Sequence, residues 1–233
     1  MLTFPGFWLS FVMLNHAIIV AAGAGRRFGA KKQFYPVMGQ PLFVYATNAF
    51  EAHAEIHAII LVVPRAHVKR IRKFLKGLGF KKVLHVVAGG KRRQDSVAKG
   101  LATIQDKRGM VIIHDAVRPL VSKTLISRGI RLCQKHKSAI PGIKVRDTVK
   151  RVKRQRVAHT IPRHDLYLVQ TPQFYDLQTI RKAFLEVDSR IEYTDEAAML
   201  ESLGMPVHMF RGEQQNIKVT DKTDLKFVRR ILA

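Results

Sequence analysis

Ala21-Ala22-Gly23-Ala24-Gly25-Arg26-Arg27-Phe28-Gly29-Ala30-Lys31-Lys32-Gln33 is the stretch whose reading decides the fold. Ahead of it, His16-Ala17-Ile18-Ile19-Val20 is a short apolar run rich in β-branched residues and reads as a strand; after it, Pro41 opens an amphipathic segment that reads as a helix. A glycine loop between a strand and a helix is where open α/β sheets hold phosphorylated ligands. Gly23 and Gly25 let the backbone turn tightly and present N–H groups to an anion, while Arg26, Arg27, Lys31 and Lys32 add full positive charges. Such a loop suits a triphosphate.

Two better-known loops are excluded. A phosphate-cradling P-loop ends in Gly-Lys-Ser or Gly-Lys-Thr, and neither follows here. A dinucleotide fingerprint has its third glycine three residues after the second, where this chain has Phe28, and an acid after the second strand, where it has Val62-Val63-Pro64.

Outward from the loop the chain alternates. Pro41–Ala52 reads as helix, Ile56–Val63 as strand, Ala66–Gly77 as a basic-faced helix and Lys82–Val87 as strand. Ser96–Ile104 reads as helix, Met110–His114 as strand, Ser122–His136 as helix and Ala139–Ile143 as strand. Repeated βα units imply an α/β fold of three layers, a mostly parallel, Rossmann-like sheet with helices on both faces. The stretch 145–170, divided by the basic run 151–156, breaks the alternation and reads as a protruding β-arm. Beyond it come a helix over Asp176–Val187, another begun by Tyr193-Thr194-Asp195-Glu196 with its acids in the first turn, a strand at Val207–Phe210, and a segment over Gly212–Asp224.

Residues 16–233 are expected to form a single domain and residues 1–15 an apolar extension. The extension lacks a basic region and a cleavage site and is well under the roughly 18 to 20 residues that span a bilayer, so it reads as neither signal nor anchor. A chain starting at Met13 is expected to keep its fold. The single Cys133 rules out an internal disulfide and fits a reducing cytoplasm. Lys and Arg number 41 against 17 Asp and Glu, a formal net charge of +24, which raises the prospect of a nucleic-acid-binding protein on the same scaffold. Lys69, Arg70, Arg72, Lys73 and Lys76 lie mostly on one helix surface, but few aromatic residues accompany them and no RNA-binding signature is present. The expectation is therefore no specific nucleic acid and no membrane as partner, only salt-sensitive, non-specific association with polyanions.

Several strands end in chemistry. Gly89-Gly90 with Asp95-Ser96 is a second glycine turn opening a helix, its backbone and hydroxyl suited to a nucleobase or ribose and equally to a plain capped loop. His114-Asp115-Ala116-Val117-Arg118-Pro119 puts a carboxylate beside the phosphate loop, fit to hold Mg²⁺ carried by a nucleotide or to pair with Arg118. Lys218, in Asn216-Ile217-Lys218-Val219-Thr220, is either a surface lysine or a late-arriving cation for the same site.

From His16 to about Leu232 these segments together resemble the 2-C-methyl-D-erythritol 4-phosphate cytidylyltransferases of non-mevalonate isoprenoid biosynthesis. The resemblance rests on the loop Ala21-Ala22-Gly23-x-Gly25-x-Arg27, Lys32-Gln33, Gly89-Gly90, Asp95-Ser96-Val97, His114-Asp115-Ala116-x-Arg118-Pro119, Asp147-Thr148, Thr171-Pro172-Gln173-Phe174, Thr194-Asp195-Glu196-Ala197 and Asn216-Ile217-Lys218-Val219-Thr220, all in order. It implies attack by a phosphate oxygen of the methylerythritol phosphate on the α-phosphorus of CTP, with Mg²⁺ as cofactor and pyrophosphate leaving. Arg27 and Lys32 would be catalytic. Ala21, Ala22, Gly23, Gly25, Gly90, Ser96, Asp115 and Lys218 would bind nucleotide, with Asp115 facing the metal or the ribose. Asp147, Thr148, Arg163, Thr171 and Lys218 would hold the sugar phosphate. The family's homodimers, in which the arm reaches the neighbouring site, would account for 145–170. Ribitol phosphate cytidylyltransferases share most of these motifs and differ in the acceptor. Between Arg27 and Lys32 this chain is about two residues shorter than familiar members, Lys31 stands where Pro is usual, and Lys91 stands where an acid is common.

Overall fold

The structure, a computed structural model, describes residues 13–23 and 31–233. Gly25, Arg27 and the extension through Val12 lie outside the described residues.

The central sheet is built on β1 (Asn15–Val20), β4 (Ala58–Val63), β5 (Val83–Ala88) and β6 (Met110–Asp115), paired in parallel in the order β6-β1-β4-β5. Their near-continuous apolar runs follow from burial on both faces. Ala17, Ile19, Ile59, Leu61 and Ile112 join one core layer, while Ile18, Ile60, Val62, Val111 and Ile113 join the other, the period of two expected of strands. The first layer is covered by α1 (Leu42–Glu51), α2 (Val68–Gly77) and α4 (Lys123–His136), the second by α3 (Arg93–Leu101), α5 (Leu177–Glu186) and α6 (Glu196–Ser202). Three layers are thus present, as expected.

Beyond β6 the sheet becomes mixed. β11 (Gln173–Asp176) inserts antiparallel between β6 and β7 (Ser138–Lys144), and β12 (His208–Arg211) pairs parallel with β7. The sequence reading holds no strand at Gln173–Asp176, because four residues followed at once by a helix leave too little alternation to see. Close packing fixes it there: a Cβ on Gly129 of α4 would collide with the Phe174 ring.

Three other expectations change. The loop does not run straight into α1: a 3₁₀ turn (Lys32–Phe34) and a small hairpin of β2 (Pro36–Val37) and β3 (Gln40–Pro41) intervene. α3 begins at Arg93 rather than Ser96, with the Arg92 N–H donated to Asp95 at 3.1 Å. A C-terminal helix, α7 (Lys222–Leu232), is absent from the expected elements. Its start is a capping box of two aspartates, in which Asp221 accepts the Asp224 N–H at 3.0 Å and Asp224 accepts the Asp221 N–H at 3.1 Å. That departs from the Ser/Thr and Glu/Gln form the sequence signal takes.

Within the excursion, β8 (Val149–Lys153) and β9 (Arg156–Ile161) form an antiparallel ribbon that, among the described residues, pairs with no strand of the main sheet. Arg154 and Gln155 turn it at φ 44° and 65°, the left-handed pair that suits a two-residue hairpin. β10 (Tyr167–Val169) then returns to the edge of β7. Nearly every residue of the ribbon is exposed.

Candidate active site

At the C-terminal ends of the parallel strands, Ala21–Gly23 follows β1, Gly89-Gly90 follows β5, and Asp115 ends β6 level with Val20. The two glycine turns touch: a Cβ on Gly89 would overlap the Ala22 Cβ, and one on Gly90 would overlap the Asp95 Cβ. Glycine is therefore required at both positions by close approach. Ser96, buried, accepts the Gly90 N–H at 3.0 Å and donates to the Arg92 carbonyl at 3.2 Å, so its hydroxyl shapes this turn rather than capping a helix.

The return of the first loop is clamped. Gln33, 2% exposed, donates from Nε2 to the carbonyls of Ala21 at 2.8 Å and Gly23 at 2.9 Å. This fixes the neighbouring half-buried Lys32 beside the strand end. Lys32 also helps hold the Asp224 carboxyl below its usual range, behind the opposing effect of burial and the stronger hydrogen bonds of Thr220 and Asp221. Lys31, by contrast, is exposed and donates to His67 Nε2 at 3.1 Å, on the side of α2.

Asp115 is the centre of an ion cluster. Its Oδ2 lies 2.7 Å from Lys218 Nζ and its Oδ1 3.2 Å from Arg93 Nε, while Arg93 Nη1 reaches both oxygens of fully buried Glu196 at 2.8 and 2.7 Å. Two cations and two anions balance. Burial pushes the Asp115 pKa up, but Arg93 and Lys218 outweigh it and hold the carboxyl well below the usual range, fully ionised at neutral pH. Burial raises Glu196, against the pull of Arg93. Lys218 is accordingly no idle surface lysine; the Val219 N–H donates to the Val117 carbonyl at 2.9 Å and brings its segment alongside β6.

The pairing of Asp115 with Arg118 is corrected. Arg118 donates from Nη1 to the Asn216 carbonyl at 2.8 Å, and its buried Nε has no partner among the described residues, so it acts on Asp115 through its charge without an ion-pair contact. Thr171 closes the back of the site: its Oγ1 accepts the Asp115 N–H at 3.0 Å and donates to His114 Nδ1 at 3.1 Å, while His114 Nε2 donates to the Arg118 carbonyl at 3.1 Å. Asn216 Nδ2 donates to the Thr171 carbonyl at 2.8 Å.

Asp147, Thr148 and Arg163 are exposed at the foot of the ribbon, where Arg163 Nη1 donates to the Arg146 carbonyl. Among the described residues no hydrogen bond or ion pair joins these three to Asp115 or Lys218. Arg93, Arg118 and Glu196 were not among the expected site residues. Glu196 stands in the motif Thr194-Asp195-Glu196-Ala197 with no role given to it, and Arg93 lies in the turn ahead of the expected helix; nothing local connects two residues 103 positions apart.

Among the described residues no group of three His, Cys, Asp or Glu side chains could cage a metal. A divalent cation would be held by the single ionised carboxylate of Asp115 with substrate phosphates and water, the usual manner of Mg²⁺, so the donor set fits an ion that arrives with a nucleotide. Nor does any helix among these residues have the length and apolarity to cross a membrane.

A family model described as 2-C-methyl-D-erythritol 4-phosphate cytidylyltransferase matches residues 15–233. The protein of that name from Dehalococcoides mccartyi is 38% identical over 211 residues, covering 90% of this chain and 92% of its own length. A protein named bifunctional enzyme IspD/IspF, from Desulfotalea psychrophila, is 39% identical over 216 residues, 91% of this chain, and the chain spans 55% of its length. The crystal structure of the 4-diphosphocytidyl-2C-methyl-D-erythritol synthase of Anaerococcus prevotii superposes with a TM-score of 0.80 at 29% identity, over 95% of this chain and 99% of that one.

Proposed function

The chain belongs to the 2-C-methyl-D-erythritol 4-phosphate cytidylyltransferase family, and we propose that its site transfers the cytidylyl group of CTP to 2-C-methyl-D-erythritol 4-phosphate, giving 4-diphosphocytidyl-2-C-methyl-D-erythritol and pyrophosphate. The observation that carries this reading is the convergence of two glycine turns, the ionised Asp115 and the cation of Lys218 at the ends of β1, β5 and β6. An oxygen of the sugar phosphate forms the new bond to the α-phosphorus, and the α–β bridging oxygen leaves with its electron pair on pyrophosphate.

Such a reaction asks the protein mainly for positioning and charge stabilisation. In our reading the backbone of Ala21–Gly23 and Gly25 holds the phosphates, and Arg27 and Lys32 meet the charge that grows on the α-phosphate. Gly90 and Ser96 shape the seat for cytosine and ribose. Asp115 orients the ribose or binds Mg²⁺, which when bound would offset the charge of the triphosphate. Lys218 then faces the sugar phosphate, while Thr171, expected to do the same, supports Asp115 from behind with its hydroxyl engaged by the Asp115 N–H and His114. Turnover with CTP should favour methylerythritol phosphate over ribitol phosphate by kcat/KM; the reverse preference would replace the acceptor in this reading.

The remaining acceptor groups, Asp147, Thr148 and Arg163, we assign to the site of a second subunit. The support is the exposed ribbon with its apolar Val152 and Val157, the exposed Leu168 of β10, and a groove of about 950 Å³ lined by Tyr167, Met209 and Phe210. If Arg163 crosses a homodimer, Arg163→Ala and Lys32→Ala subunits, each nearly inactive, should regain about a quarter of wild-type activity after equal mixing, since half the dimers then carry one intact site. Mixtures as inactive as their parents would put both groups in one subunit's site. We assign the protein to the cytoplasm, on the support of its single free, buried cysteine.

A further inference from the structure

Arg93 and Glu196 take no part in the mechanism above, and the motif Thr194-Asp195-Glu196-Ala197 has no role in it. We infer that Glu196, through Arg93, positions Asp115 for the nucleotide, making Arg93 and Glu196 positioning residues of the reaction. The inference rests on Asp115 being a nucleotide-facing group.

The geometry has three parts. Arg93 opens α3 directly after the Gly89-Gly90 turn, and its reach to Asp115 is a single contact at 3.2 Å, too little by itself to fix a side chain with so many rotatable bonds. Glu196 supplies the missing constraint, because both of its oxygens engage Arg93 Nη1 and it is fully buried. With the guanidinium immobilised, Asp115 Oδ1 is held and Oδ2 is turned to Lys218 at 2.7 Å.

Glu196 is itself anchored. Asp195 caps α6 by accepting the Ala198 N–H at 3.0 Å, its other oxygen accepts Gln173 Nε2 at 2.8 Å, and Gln173 Oε1 accepts the Tyr175 hydroxyl at 2.8 Å. The acidic motif is thus tied to β11, an interior strand beside β6. Among the described residues the buried Nη2 of Arg93 has no hydrogen-bond partner, so the guanidinium is held through its Nε contact to Asp115 and its Nη1 contacts to Glu196.

The test measures CTP binding with Mg²⁺ by calorimetry, without acceptor, for the wild type, Asp115→Asn, Glu196→Gln and the double variant. Groups that orient a ligand-holding side chain typically contribute 10- to 100-fold in affinity, so Glu196→Gln should weaken CTP binding by about 10-fold in the wild type. In the Asp115→Asn background the same substitution should change little, because the group it acts through is gone. If Asp115→Asn leaves CTP binding unchanged, the nucleotide-facing reading of Asp115 is what fails. If Asp115→Asn weakens binding but Glu196→Gln is silent or fully additive with it, the positioning inference is overturned. Should Glu196→Gln fail to fold, Arg93→Lys, which keeps the cation but loses the planar fork, replaces it under the same criteria.

Discussion

Lys32→Ala should lower kcat by on the order of 10²- to 10³-fold while leaving the KM for CTP little changed, because a donor that meets charge only as it develops lowers the barrier without tightening the ground state. The structure separates Lys32 from its neighbour. Lys32 opens the 3₁₀ turn, half-buried, with the next residue clamped onto the Ala21 and Gly23 carbonyls. Lys31 is exposed and engaged with His67. Lys31→Ala should therefore cost at most a small rise in KM, as expected of a solvated charge near a polyanion. A large kcat loss at Lys31 with Lys32 nearly silent would shift the catalytic lysine by one position in this shortened loop.

Mild acid should destabilise the fold through His114. The ring is completely buried, accepts at Nδ1 from Thr171 and donates at Nε2 to Arg118, and burial pushes its pKa down to about 4. The unfolded chain takes up this proton near 6.5, so between about 6.5 and about 4 the unfolded state binds more protons and stability falls as pH falls. Above that window both states are neutral and the effect vanishes; across it the loss is on the order of 3 kcal/mol. Protonation would also turn Nδ1 into a donor and reverse the Thr171 bond, leaving the Thr171 hydroxyl hydrogen to find another acceptor while its oxygen still accepts the Asp115 N–H. Urea midpoints between pH 7 and pH 4.5 for the wild type and His114→Gln provide the check. The wild type should lose stability more steeply, and parallel curves would contradict this role of His114.

What was legible in the sequence follows from what is local. β1, β4 and β6 announce themselves because both faces are covered, so their apolar runs are unbroken, and the break after β7 marks the ribbon because alternation stops there. The glycines at 89 and 90 are legible as a turn, but the reasons for them, Ala22 and Asp95, become visible only once two strand ends are side by side. Short β11 and the aspartate-capped α7 escape the usual signals. The Arg93–Glu196 contact and the withdrawal of Arg118 to Asn216 link residues about a hundred positions apart, and a sequence carries no marker for such pairs unless the need to neutralise a buried acid is asked of every helix start.

The most direct measurement supplies CTP radiolabelled at the α-phosphate in one reaction and at the γ-phosphate in another, with methylerythritol phosphate and Mg²⁺, and follows both labels. The α-label should appear in a cytidine-containing diphosphate ester of the sugar and the γ-label in an equimolar amount of pyrophosphate. γ-Label on the sugar, or no transfer of the α-label, would contradict cytidylyl transfer at this site.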